Sequence, residues 1–188
     1  MFFLKLIETF ERHAIDYAVS GSYAAAFHGY VQNTKIIEFV TDNSELGLIE
    51  MQAALEECGL MPEKFSARSI LKLRDVETSW VFINHKDAFE KVVIHTSIHV
   101  SDCKTENKSF YSYRIPTMTI HELQKKLGFQ IQNPELLNQK SFQLKPIEIL
   151  QILEDFRLLD PNAKPTEKDK SILISLKIPQ SLLEEFKQ

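Results

Sequence analysis

The residues best suited to chemistry in this chain gather around one glycine. Ser20-Gly21-Ser22 precedes Tyr23-Ala24-Ala25-Ala26-Phe27-His28, so the backbone amides after Gly21 and the Ser22 hydroxyl can meet an anion where a helix begins. The same turn is also what a serine helix cap produces, with Ser20 or Ser22 in that role. Downstream, Thr34-Lys35-Ile36-Ile37-Glu38-Phe39 supplies one acid, Glu38, and a lysine, Lys35, that can meet a phosphate or sit solvated at a strand edge. His95 and His99 lie on an extended stretch with their backbones roughly 13 Å apart, too far to share one metal ion. His28, beside Gly29, fits a half-buried, hydrogen-bonded imidazole better than a phosphate ligand.

Several chemistries are excluded by counts. The 188 residues include 5 glycines, which compose neither a Gly-x-Gly-x-x-Gly fingerprint nor a phosphate loop. Cys58 and Cys103 stand far apart without a Cys-x-x-Cys spacing, so they read as reduced structural thiols. Basic residues number 22 against 26 acidic ones, a net charge of -4 that does not suit a surface made to coat nucleic acid. No apolar run approaches the roughly 18 uncharged residues of a membrane helix. Met1-Phe2-Phe3-Leu4 is cut by Lys5, Glu8, Glu11 and Arg12, so a cytoplasmic location without membrane contact is expected.

The elements that must position these residues follow from periodicity. Phe3, Leu4, Ile7, Phe10 and Ala14 form the stripe of an amphipathic helix. Tyr17-Ala18-Val19 reads as a strand, Tyr23–His28 as a helix, Lys35–Val40 as a second strand, and Leu46, Ile49, Leu55 and Leu60 as a helical stripe stopped by Gly59. Ser69–Leu73, Trp80–Ile83 and Val92–Ile98 have strand character, and Trp80–Ile83 is expected to pair with Glu90–Ile98 as a hairpin across Asn84-His85-Lys86-Asp87. Trp80 and Phe82 alternate with Val81 and Ile83, which predicts burial on both faces of that strand. Pro116-Thr117 precedes a helix near Ile120–Leu127, and Pro146 opens another with Ile149, Leu150, Leu153 and Phe156 on its buried side. Asp160–Thr166 has the composition of a linker.

From Leu6 to Gly59 the chain resembles the minimal nucleotidyltransferase fold, the family of polymerase-β-like enzymes and of the nucleotidyltransferase halves of toxin-antitoxin modules. The resemblance is carried by Tyr17-Ala18-Val19-Ser20-Gly21-Ser22-Tyr23-Ala24-Ala25-Ala26-Phe27-His28-Gly29-Tyr30 followed by Thr34–Phe39. It implies an α/β (α+β) fold, a mixed sheet with flanking helices. The expected organisation is a nucleotidyltransferase-like domain over 1–115, a helical extension over 116–160, a linker over 161–170 and a strand-helix tail over 171–188. The family's transfer reaction uses two alternating carboxylates and a third from a neighbouring strand to hold two divalent metal ions. The corresponding positions here read Ile36, Glu38 and His95. Magnesium prefers hard oxygen donors in octahedral array, so this set suits it poorly and no cofactor is expected.

The tail Ser171–Pro179 places Ile172, Ile174, Leu176 and Ile178 on one face. It is similar to the strand and first helix of ribbon-helix-helix antitoxins, whose paired strands enter the DNA major groove. Ser171, Ser175 and Lys177 would then be the outward, interacting side chains. The chain reaches Gln188 before a second helix, so autonomous DNA binding is not expected, and a homodimer or partner complex through this strand is. The function that follows is a catalytically degenerate nucleotidyltransferase-fold protein, a pseudoenzyme binding a nucleotide at Gly21, Ser22 and Lys35, or a partner protein, in a toxin-antitoxin-like setting. Two alternatives stay open: an active nucleotidyltransferase with an altered magnesium site, and a ribbon-type DNA-binding repressor.

Overall fold

The computed structural model describes residues 2–30, 36–73, 75–84 and 87–130. Lys35, the chain beyond Gln130, and with it the helix after Pro146, the linker and the tail residues Ser171, Ser175 and Lys177, lie outside the described residues. The elements run α1 (Phe2–Arg12), β1 (Tyr17–Ser20), α2 (Gly21–Phe27), β2 (Ile36–Thr41), α3 (Glu45–Glu57), β3 (Met61–Pro62), α4 (Ala67–Leu73), β4 (Ser79–Asn84), β5 (Asp87–His99), β6 (Thr105–Phe110), β7 (Tyr113–Met118) and α5 (Ile120–Leu127). The strands form one mixed seven-stranded sheet in the order β3-β4-β5-β2-β1-β7-β6, which with its helices makes an α/β fold.

The register around the centre decides what can meet. β1 and β2 pair antiparallel with Val19 opposite Phe39 and Ser20 opposite Glu38. β2 and β5 pair parallel, Glu38 beside Val93 and Val40 beside His95. Since side chains alternate along a strand, Phe39 projects to one face and Glu38 to the other.

The Phe39 face is the core. The apolar stripe of α1 lands on it, with the Phe3 ring stacked over Phe39 at 6.4 Å and Phe10 edge-on to Phe39 at 5.0 Å. Trp80 and Phe82 belong to the same core, both fully buried, and the Trp80 indole N–H donates to the Phe65 carbonyl at 2.6 Å. Val81 and Ile83, expected to be buried too, are only half-buried. Burying rings of this size contributes on the order of 2–3 kcal/mol each. The core therefore fixes β2, and β2 fixes where Glu38 points.

Other sequence expectations change as well. In α3, Leu46 and Ile49, expected on the buried stripe, are exposed, and Leu48, Met51 and Ala54 are buried in their place together with the expected Leu55. Ser69–Leu73, expected as a strand, belongs to helix α4, which packs on α3 with Ala67 and Ile70 buried. The Ala67 N–H donates to the Gln52 Oε1 of α3 at 2.7 Å, anchoring the helix start. Two strands, β6 and β7, occupy a stretch in which no strand was expected. β7 carries Pro116 yet lies inside the sheet, because it joins β1 through the single pair Val19–Thr117 and needs few donors on that side. The expected domain boundary at 115 and 116 falls within β7, so the sheet extends to Met118.

Candidate functional site

The Gly-Ser turn, Glu38 and His95 come together where β1 gives way to α2. Gly21 adopts φ +59°, the left-handed conformation that an L side chain resists, and this bend turns the chain from strand into helix. Directly across from Ser20, Glu38 leaves the face opposite the core. Its Oε2 lies 2.9 Å from His95 Nε2, which arrives from β5 on the same face. Both side chains are largely withdrawn from water, at 23% and 15% exposure for Glu38 and His95.

The other carboxylate oxygen fills the space against Gly21. A methyl group built on Gly21 would stand 2.0 Å from Glu38 Oε1 and 2.3 Å from its Cδ. Only glycine therefore admits the carboxylate in this place. Ser20 occupies the N-cap position of α2, yet its side chain makes no capping bond, and its hydroxyl is buried with no hydrogen-bond partner among the described residues. The simple capping role expected of Ser20 is thus not what the structure has. An unpaired buried hydroxyl costs about 1–3 kcal/mol.

A second acid and imidazole repeat the arrangement farther along the same strands. His99 Nε2 lies 2.9 Å from Asp42 Oδ1, and both pairs are separated by 57 residues. A bulge between Val40 and Thr41 in the β2–β5 register brings the second pair together. His99 Nδ1 accepts from the Ser101 N–H at 3.1 Å, so in the neutral ring Nε2 carries the proton and donates to Asp42. Asp42 also accepts from the Ser44 N–H and hydroxyl. Those two bonds, with a smaller contribution from His99, hold its carboxyl below the usual carboxylate range. Ser44 in turn caps α3 by accepting from Gly47 N–H at 3.0 Å.

Other candidates resolve as structural. His28 Nε2 lies 2.9 Å from the Met118 carbonyl, pinning α2 to the end of β7, and burial lowers its pKa. Burial raises the thiols of Cys58 and Cys103, away from nucleophilic character. Ile36 shares the Glu38 face by alternation but brings only hydrocarbon. Among the described residues no group of three His, Cys, Asp or Glu side chains could hold a metal ion. The divalent metal that the family resemblance implies does not fit this donor set. Sequence reasoning missed the Asp42–His99 pair, although the equal spacing of 38 to 95 and 42 to 99 was visible.

No protein-family model matches the chain, and no curated protein matches it in sequence. Among solved structures it is similar to the antibiotic-resistance factor ANT(2'')-Ia, with 11% identity and a TM-score of 0.49 over 98% of this chain and 94% of that one. A likeness at that level assigns neither family nor function. No helix among the described residues is long and apolar enough to cross a membrane.

Proposed function

We propose that this chain is a cytoplasmic, catalytically degenerate nucleotidyltransferase-like protein that acts by binding a nucleotide or a partner protein, in a setting like that of toxin-antitoxin modules. The observation that carries the reading is the fate of the acids. Where metal-dependent transfer needs paired carboxylates, Ile36 offers none, and the Glu38 carboxylate is bonded to His95 through Oε2 while its Oε1 takes the space where a side chain at Gly21 would stand. His95, in the place of the third acid, presents nitrogen already turned toward Glu38. Hard oxygen donors on one face are what magnesium requires. Gly21, Ser22 and Lys35 are the residues assigned to the nucleotide, and the unpaired hydroxyl of Ser20, the neighbour of Gly21 in the chain, favours a ligand at this turn.

The test is incubation of the full chain with labelled nucleoside triphosphates, magnesium or manganese, and a mixture of protein and RNA acceptors, read by intact mass and label transfer. The expected result is no transfer, with millimolar metal leaving the thermal midpoint unchanged and a nucleotide raising it. Label transfer, or a metal-induced rise corresponding to about 1–2 kcal/mol of linkage, overturns the reading.

A further inference from the structure

We infer that Glu38 is a built-in occupant of the Gly21 turn, latched there by His95, and that a phosphate-bearing ligand enters only when this side chain swings away. The inference rests on the proposed nucleotide reading and specifies how that site is regulated.

Three observations carry it. First, the space is full: the side chain lies so close that its Oε1, Cδ and Cγ stand 2.0, 2.3 and 3.0 Å from where a Gly21 methyl would be. With the carboxylate in place, an oxygen of a ligand could not approach Gly21 from the side on which a Cβ would stand. Second, the occupant is anionic, so it opposes a phosphate by charge as well as by bulk, and its low exposure leaves that repulsion weakly screened. The His95 bond at 2.9 Å holds it in position rather than leaving it to sweep through solvent. Third, the occupied state leaves one polar group unsatisfied. Side chains of directly opposed antiparallel residues share a face, so the Ser20 hydroxyl lies on the Glu38 face. It is fully buried and makes no hydrogen bond among the described residues. A phosphate oxygen in the vacated space would provide its partner, so opening is offset by a bond that the closed state lacks. An aspartate at position 38, one methylene shorter, would not reach as far toward both Gly21 and His95. The longer side chain that spoils the metal site is thus the one that closes the turn.

The experiment is calorimetric titration of the full-length parent, E38Q and E38A with ATP and separately with inorganic tripolyphosphate, both without divalent metal. E38A removes bulk and charge and is expected to bind both probes at least about tenfold more tightly than the parent. E38Q removes the charge alone and should fall between them. Should E38A unfold below the assay temperature, E38Q and H95Q, which frees Glu38 without shortening it, decide by the same comparison. Equal or weaker binding by the variants, with the parent itself binding, overturns the latch and leaves the nucleotide reading standing. No binding by parent or variants at millimolar probe overturns both.

Discussion

Substituting Gly21 by alanine tests the contact between the turn and Glu38 through stability alone. Two costs should appear. An alanine held at φ +59° pays about 1 kcal/mol for the left-handed conformation. Its Cβ would also stand 2.0 Å from Glu38 Oε1, which forces the carboxylate off His95. Losing that charge-assisted, mostly buried hydrogen bond costs about 1.5–3 kcal/mol, for a total of about 2.5–4 kcal/mol in G21A. In an E38A background the methyl has room, and only the first cost of about 1 kcal/mol remains. The coupling between the positions is therefore about 1.5–3 kcal/mol, well above the roughly 0.3–0.5 kcal/mol expected of independent sites. Urea unfolding of parent, G21A, E38A and G21A/E38A, followed by circular dichroism with a shared slope, measures it. Additivity within about 0.5 kcal/mol would refute the reasoning, because it would mean that Glu38 does not lie against the glycine.

Rebuilding the acids supplies a second check: I36D/E38D/H95D should acquire magnesium affinity that the parent lacks, and a folded variant that binds none would show that these three positions do not converge. For Asp42 the pH sign is fixed by its depressed folded-state pKa. Its bonds to Ser44 and His99 contribute stability above the ordinary carboxylate pKa, and that stability is lost as pH falls through the lower folded value. D42N should therefore be less stable than the parent near neutrality and converge with it in acid, and a gap that persisted unchanged in acid would exclude the carboxylate as its source. Truncation after Pro161 should give a smaller assembly with a nearly parental melting temperature, as sizing and calorimetry will show. Monomers from both chains would refute dimerisation through Ser171–Ile178.

How much of this was legible in the sequence depends on whether a residue's role is local. α1, β1, β2, α3, β4 and β5 were readable as elements from their local pattern, but the marked face is not always the buried one: Leu46 and Ile49 of α3 are exposed while Leu48, Met51, Ala54 and Leu55 are buried, and Val81 and Ile83 of β4 are only half-buried. Ser69–Leu73 misled because Ile70, Leu71 and Leu73 satisfy a short strand pattern as well as a helical one. The arbiter, an α3 surface offering Gln52 Oε1 to the Ala67 amide, is tertiary. β6 was hidden by its polar composition, Thr105-Glu106-Asn107-Lys108-Ser109, which suits an edge strand paired on one side only. At the site, alternation already put Ile36 and Glu38 on one face, and the expected neighbour His95 is indeed beside Glu38. What spacing along the chain could not reveal is that the glutamate folds back over Gly21, a fact of cross-strand register, or that the hydroxyl of Ser20 would be left unpaired.

The pairing of β7 with β1 also sets an order on assembly. Val19 meets Thr117 across 98 positions, the difference of the two residue numbers, whereas β4 meets β5 through the turn that joins them. Closing so long a loop carries an entropic cost that local hairpins avoid. During synthesis, every strand from β1 to β6 leaves the ribosome before the partner that seals the other side of β1. Until Thr117 emerges, β1 is a sheet border, with its short apolar run Tyr17-Ala18-Val19 open to whatever strand comes near. The same event supplies the Met118 carbonyl on which His28 closes. Completion of the glycine turn's surroundings is therefore deferred to β7, the last strand among the described residues, and a chain halted before it presents a sticky border in place of a completed turn.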